Sequence, residues 1–140
     1  MQIEVLIIDD EPEFLEWVTE FLESYNCVCE IAENLPKALA TLASRRFQLV
    51  IIDMNVPANE ALSADELKRR PLSKRYPGLA IAAWCRNQGY SARQLFAYTV
   101  HDDDALDAEL VKLICPYVLK GRPYEFKRIV RFSLGLPATP

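Results

Sequence analysis

Two short apolar runs, each closed by aspartate, constrain this chain more than any other feature. Residues 3–8 are followed by Asp9 and Asp10, and residues 49–52 by Asp53. Both runs are almost wholly apolar and rich in β-branched residues, which reads as strands buried on both faces of a parallel sheet. In an open α/β sheet the carboxyl ends of the strands line the ligand crevice. If the two strands are neighbours, three carboxylates converge in one small pocket. Like charges so close repel and call for a cation at neutral pH, and hard oxygen donors suit Mg²⁺. A divalent ion beside one further carboxylate makes a site for receiving a phosphoryl group.

The rest of the chain supplies the elements such a sheet needs. Pro12 fits the first turn of a helix, on which Phe14, Val18, Phe21 and Tyr25 fall at helical spacing beside Leu15 and Leu22. A strand over 28–31 follows, then a helix starting near 34–36 with Leu35, Ala38, Leu39 and Leu42 on one face. With the strand that ends at Asp53, the pattern is β-α-β-α-β, which predicts a parallel sheet with helices on both faces. Regularity returns at Gly78 with a helix over 79–87, a strand over 94–100, and a helix whose first turn holds Asp102, Asp103 and Asp104. A last strand over 116–119 ends at Lys120. Tyr124, Phe126, Ile129, Val130, Phe132 and Leu134 mark a closing amphipathic helix, and 136–140 reads as a flexible tail.

Between Pro57 and Gly78 the rhythm breaks. Residues 58–77 carry no strong core stripe and hold five of the sixteen basic residues: Lys68, Arg69, Arg70, Lys74 and Arg75. Ser63 and Glu66 have capping-box spacing, which predicts a short helix over 65–70. The segment reads as an inserted basic loop that can be trimmed without unfolding the domain. Its cations suit a solvated surface, an acidic partner, nucleic acid or a lid over the pocket.

A chain of 140 residues has room for one core, and a net charge of −4 argues against nucleic-acid binding by the whole surface. No run approaches the roughly 18–20 apolar residues of a membrane helix, and Met1 leads into a strand rather than a signal peptide. A cytoplasmic protein is the expectation. Cys27, Cys29, Cys85 and Cys115 include no CxxC pair, and free thiols are expected. Cys27 and Cys29 are expected on opposite faces of their strand, a poor arrangement for joint chelation.

Two further residues stand at strand ends, Thr99 and Lys120. In phosphoryl transfer to a carboxylate, a metal neutralises phosphoryl oxygens, a lysine pairs with another, and a hydroxyl bonds a third. With these residues in place the chain resembles the response-regulator receiver family of two-component signalling. The resemblance rests on Asp9-Asp10-Glu11-Pro12, Asp53-Met54-Asn55-Val56-Pro57, Thr99 and Tyr117-Val118-Leu119-Lys120, in the family's order from about residue 3 to 134. It implies a flavodoxin-like (βα)5 fold of the doubly wound α/β class, with a five-stranded parallel sheet in the order 2-1-3-4-5, filling a single domain over 1–135. Asp53 would be the phospho-acceptor, Asp10 a direct Mg²⁺ ligand, Asp9 a water-mediated one, and Asn55 a ligand through its backbone carbonyl. Lys120 would pair with the phosphoryl group, and Thr99 and Tyr117 would form the switch pair.

The implied partners are a histidine kinase or phosphotransfer protein, a downstream effector and, as a further state, a second copy of the chain. The implied role is a switch rather than a metabolic enzyme. No output domain follows residue 134, so the chain is expected either to act alone or to be part of a longer regulator. Two departures stand out. Lys120 is followed by Gly121-Arg122-Pro123 where the family has proline directly, and Pro57 and Gly78 stand far apart where the family keeps them close. Two rival readings follow. One is a receiver-like module acting through phosphorylation-independent contacts. The other is a haloacid-dehalogenase-type phosphatase, which wants an acid where Asn55 stands. His101, two residues past Thr99, is expected near the mouth of the pocket as a solvated residue or as an influence on water access.

Overall fold

The β-branched runs form strands and the amphipathic segments form helices in a computed structural model that describes residues 2–100 and 102–136. In chain order the elements are β1 (Ile3–Ile8), α1 (Pro12–Glu23), β2 (Cys27–Ala32), α2 (Leu35–Ser44), β3 (Leu49–Asp53), α3 (Ala64–Arg69), a 3₁₀ turn (Pro71–Lys74), α4 (Gly78–Asn87), β4 (Leu95–Thr99), α5 (Asp104–Lys112), β5 (Tyr117–Leu119) and α6 (Pro123–Leu134). The strands pair in parallel in the order β2-β1-β3-β4-β5. This is the doubly wound, flavodoxin-like arrangement with β1 and β3 as central neighbours, so the ends of β1 and β3 meet.

Helix starts follow local chemistry. The Asn34 side chain accepts the Lys37 amide at 2.9 Å and caps α2, and the Ser63 hydroxyl accepts the Glu66 amide at 3.0 Å and caps α3. Asp103 accepts the amides of Ala105 and Leu106 and caps α5. Proline occupies the first turn of α1, α2 and α6. Gly135, at φ 70°, ends α6 in the left-handed conformation that glycine adopts without steric cost.

Because side chains alternate along a strand, the sheet divides its apolar residues between two cores. Val5, Ile7, Leu49, Ile51, Phe96, Tyr98 and Val118 pack with Leu15, Val18 and Leu22 of α1 and Phe126 and Val130 of α6. Leu6, Ile8, Val50, Ile52 and Ala97 pack on the other face with α2, α4 and α5. On α1 the buried stripe is Leu15, Val18 and Leu22, and Phe14 and Phe21 are half-buried beside it. Among the described residues no helix is long and apolar enough to cross a membrane.

The same alternation corrects the reading of the cysteines. Cys27 and Cys29 are two apart, hence on one face of β2, and both belong to the α1 side of the sheet. All four cysteines are free thiols, and burial pushes those of Cys29, Cys85 and Cys115 up to about 12. The expected flexible tail lies, from residue 137 on, outside the described residues.

The inserted segment is not a bare basic loop. Tyr76 and Ser73 have no exposed surface, and Ala58, Ala61, Leu62 and Leu72 pack against the core on the α4 side. Removing the whole segment would strip an aromatic from that core, which weighs against the expectation that it can be trimmed without unfolding the domain. Its cations are also partly committed. Arg70 and Glu66 form a two-pronged pair at 2.8 Å, with Ser73 Oγ on the same carboxylate at 2.7 Å. Arg69 pairs with Asp65 at 3.1 Å and Arg75 with Asp103 at 3.5 Å. The capping box is half realised: Ser63 caps α3, while the Glu66 carboxylate turns inward to hold the 3₁₀ turn.

Candidate functional site

The site forms where β1 and β3 end side by side. Ile8 aligns with Ile52, so the aspartates that follow emerge together. Asp9 is fully buried, and its Oδ1 accepts the backbone N–H of Glu11 at 2.7 Å. Asp10, the next residue, is exposed. Asp53 is 2% exposed, and its Oδ1 accepts the backbone N–H of Asn55 at 3.0 Å. Asp9, Asp10 and Asp53 each offer a carboxylate oxygen, and these oxygens lie within 4.8 Å of one another. Three hard donors so close fit a small divalent cation such as Mg²⁺ better than they fit one another.

Behind Asp53 the chain returns through Gly78, whose amide donates to the Met54 carbonyl at 3.2 Å. A Cβ at Gly78 would come within 2.7 Å of the Asp53 carbonyl oxygen and 2.8 Å of the Met54 Cα. Glycine is therefore required where α4 meets the end of β3. The reason is close backbone approach rather than an unusual φ.

Lys120 reaches the pocket from the far side of the sheet. Its amide bonds to the Thr99 carbonyl at 2.7 Å, extending the β4–β5 ladder to the lysine itself. The ammonium lies 2.7 Å from Glu11 Oε1 and 3.4 Å from both Asp9 Oδ2 and Asp53 Oδ2. It sits over two aromatic rings, 4.8 Å from the centre of Tyr98 and 5.5 Å from that of Phe14. The missing proline after Lys120 is thus offset. Gly121 turns the chain at φ 85°, no peptide bond among the described residues is cis, and the aromatic rings seat the side chain.

Electrostatics mark the pocket as well. Burial pushes the Asp53 carboxyl up to about 6, against the opposing pull of Lys120 and the Asn55 amide, with Asp9 adding to the rise. Lys120 is raised: burial alone would lower it, but Glu11, Asp53 and Asp9 together outweigh that effect. Crowding and desolvation thus oppose full ionisation of Asp53.

Thr99 is fully buried at the end of β4, next to Lys120 in the ladder. Tyr117 opens β5, half-buried and packed against the α5-side core, with its phenol raised by burial and by Asp107. In register Tyr117 faces Ala97, and Leu119 faces Thr99, so the hydroxyl and the aromatic lie two residues apart along the same pair of strands. Asn55 is exposed in the loop after Asp53. His101 lies outside the described residues.

Three participants were not readable as site residues. Tyr98, aligned with Asp53 across the β3–β4 ladder, donates its hydroxyl to Asp9 Oδ2. Phe14 stacks on the Tyr98 ring at 4.4 Å and 22°. Glu11 takes the shortest contact to Lys120. The available signal for Tyr98 is a polar aromatic inside an otherwise apolar strand, directly before Thr99. Phe14 falls on the helical spacing of a core residue, which hides its second use.

Comparison with known proteins agrees with this picture. The family model described as response regulator receiver domain matches residues 5–74, half of the chain, from β1 through the insertion. The match takes in Asp9, Asp10 and Asp53, while Thr99, Tyr117 and Lys120 lie beyond it. An uncharacterised 14.6 kDa protein in the sodA1 3′ region of Leptolyngbya boryana is 23% identical over 124 residues, 87% of this chain and 95% of that protein. Among solved structures, a signal receiver domain of a two-component histidine kinase from Clostridium thermocellum superposes with a TM-score of 0.74 at 20% identity, covering 97% of this chain and 100% of that one. The receiver domain of a sensor histidine kinase from Pseudomonas aeruginosa, solved with a magnesium ion coordinated in its active-site cleft, gives 0.70 at 17% identity, covering 96% and 99%. At these identities the structural likenesses establish the fold.

Proposed function

This chain belongs to the response regulator receiver domain family, and from that premise we propose that it accepts a phosphoryl group on Asp53 from a histidine kinase or phosphotransfer protein. The observation that carries the reading is the placement of Asp53, buried at a central strand end with Lys120 3.4 Å away and two more carboxylates beside it. Asp10 and Asp53 would hold Mg²⁺ directly, Asn55 through its backbone carbonyl, and Asp9 through water. The ion would supply positive charge to the phosphoryl oxygens and relieve the repulsion among the carboxylates.

The chain's own residues do the rest. An Asp53 oxygen bonds to phosphorus as the phosphorus–nitrogen bond of the donor's phosphohistidine breaks, its electron pair staying on the imidazole. Lys120 exchanges part of its contact with Asp53 and Asp9 for a phosphoryl oxygen, and the Thr99 hydroxyl bonds another. The Asn55 amide holds the Asp53 carboxylate in place during transfer. The added charge at Asp53 biases the Thr99–Tyr117 region between two arrangements, which an effector protein reads. In this reading the protein is a switch that assists its own phosphorylation, not a metabolic enzyme. Its free thiols suit the reducing cytoplasm.

The test is incubation with acetyl phosphate, followed by intact mass measurement. One phosphoryl group per chain should appear with Mg²⁺ and be largely absent when EDTA replaces it. No uptake from acetyl phosphate or from a phosphorylated kinase would overturn the proposal.

A further inference from the structure

Tyr98 introduces a donor into the carboxylate pocket that the phosphoryl-accepting role does not call for. It is 1% exposed and stands beside Asp53 in the β3–β4 register. Its ring is held by Phe14 in a stack and by Phe126 edge-on, at 6.1 Å and 85°, so the hydroxyl has little freedom to turn away. That hydroxyl donates to Asp9 Oδ2, an oxygen that also lies 3.4 Å from Lys120 Nζ. Asp9 Oδ1 already accepts the Glu11 amide. A carboxylate has about four acceptor positions, and the Glu11 amide and the Tyr98 hydroxyl take one on each oxygen of Asp9. Asp9 itself is fully buried.

Hydrogen bonds on both oxygens, with the Lys120 ammonium beside one of them, compensate the buried Asp9 carboxylate before any divalent ion arrives. The same bonds draw charge from it and fill the lone pairs that a cation, or a water bound to one, would use. We propose that Tyr98 is a positioning residue that sets the divalent-cation affinity of this pocket, its hydroxyl occupying Asp9 Oδ2 beside the Lys120 ammonium in the metal-free protein. This rests on the Mg²⁺ reading above and adds to it that loading the pocket means competing with a phenol. The metal-free chain is thereby more stable and binds the ion more weakly than three bare aspartates would.

Tyr98→Phe keeps the ring and removes the donor. Mg²⁺ affinity measured by titration calorimetry should tighten by about tenfold, a change typical of losing one hydrogen bond to a charged group. The urea midpoint of the variant should fall below that of the wild type without metal and return toward it at saturating Mg²⁺. A contact that matters only for packing would lower both midpoints alike. In an Asp9→Asn background, Tyr98→Phe should leave Mg²⁺ affinity unchanged.

Unchanged or weakened Mg²⁺ binding in Tyr98→Phe, beside a wild type that binds, overturns this inference and leaves the phosphoryl-accepting role standing. A variant that stays unfolded at saturating Mg²⁺ makes the contact structural and overturns the inference equally. A wild type that binds no Mg²⁺ overturns the inference together with the metal reading it rests on.

Discussion

The Tyr76 hydroxyl donates a 2.7 Å hydrogen bond to Oδ2 of Asp103, joining the end of the inserted segment to the residue that caps α5. Two residues on, Gly78 packs against the backbone of Asp53 and Met54. The segment that leaves the loop after Asp53 at Pro57 therefore comes back to it by way of the residues that follow Thr99. Arg75 strengthens the junction, 3.5 Å from the same Asp103 oxygen and over the Tyr76 ring at 5.2 Å. An insertion held in this manner is a strut between the loop after Asp53 and the start of α5.

The strut has a measurable strength. Tyr76 is fully buried, and its partner carboxylate is partly exposed, so the bond should contribute about 1–2 kcal/mol. Tyr76→Phe should lower stability by about that much in urea denaturation. Combined with Asp103→Asn in a double-mutant cycle, the two losses should be less than additive. Full additivity would mean that the two side chains are not coupled.

Gly78 gives a sharper test of how the insertion meets the acceptor. An added methyl would lie 2.7–2.8 Å from the backbone of Asp53 and Met54, which cannot move without shifting the end of β3. Gly78→Ala should cost about 1–3 kcal/mol and slow labelling by acetyl phosphate as the acceptor moves. Alanine at Gly121, where nothing lies within 4 Å of the added Cβ, should instead act through its φ of 85° alone. Wild-type stability and labelling in Gly78→Ala would show that the junction is looser than the structure describes.

Asp53 should also leave a mark on the pH dependence of stability. The Asp53 carboxyl sits at about 6 in the folded chain and near its ordinary 3.8 in the unfolded one. Between those values the folded protein binds the extra proton, so stability falls as pH rises from about 4 through about 6. In EDTA this group should therefore remove on the order of 2 kcal/mol from the wild type by pH 7.5. Asp53→Asn should escape that loss, melting above the wild type at pH 7.5 and converging with it near pH 4. Parallel pH profiles for the two proteins would contradict the buried-acceptor account.

Mg²⁺ should reverse the crowding. Thermal denaturation of the wild type should move upward with Mg²⁺, and Asp10→Ala should lose most of that rise. Since Asp10 is exposed and contributes repulsion, its removal should not lower the melting temperature without metal. An equal rise in both proteins would remove Asp10 from the cation site.

The parts of this molecule that were legible in advance are those encoded by local period and by position at a strand end. The almost wholly apolar runs before Asp9 and Asp53 read as buried parallel strands, and the two pair side by side. Asn34, Ser63 and Asp103 announce helix starts because capping is a local interaction. Tyr76 and Ser73 gave no such signal. They lie in a short 3₁₀ turn and the link after it, where burial follows no α-helical or strand period. The seat of Lys120 was hidden for another reason. It is built by Phe14 and Tyr98 from two elements distant in sequence, and each looks like a core aromatic when read alone. The face shared by Cys27 and Cys29 was legible, since a period of two decides it, and the expectation of opposite faces ran against that rule.

The central claim is that Asp53 is the residue that takes the phosphoryl group. Its most direct measurement is peptide mapping after acetyl phosphate treatment in Mg²⁺, performed on the wild type and on Asp53→Asn. The account predicts one phosphorylated peptide in the wild type, with Asp53 as the modified residue, and no uptake in Asp53→Asn despite a folded chain. Undiminished uptake by Asp53→Asn, or a modified residue other than Asp53 in the wild type, would contradict it.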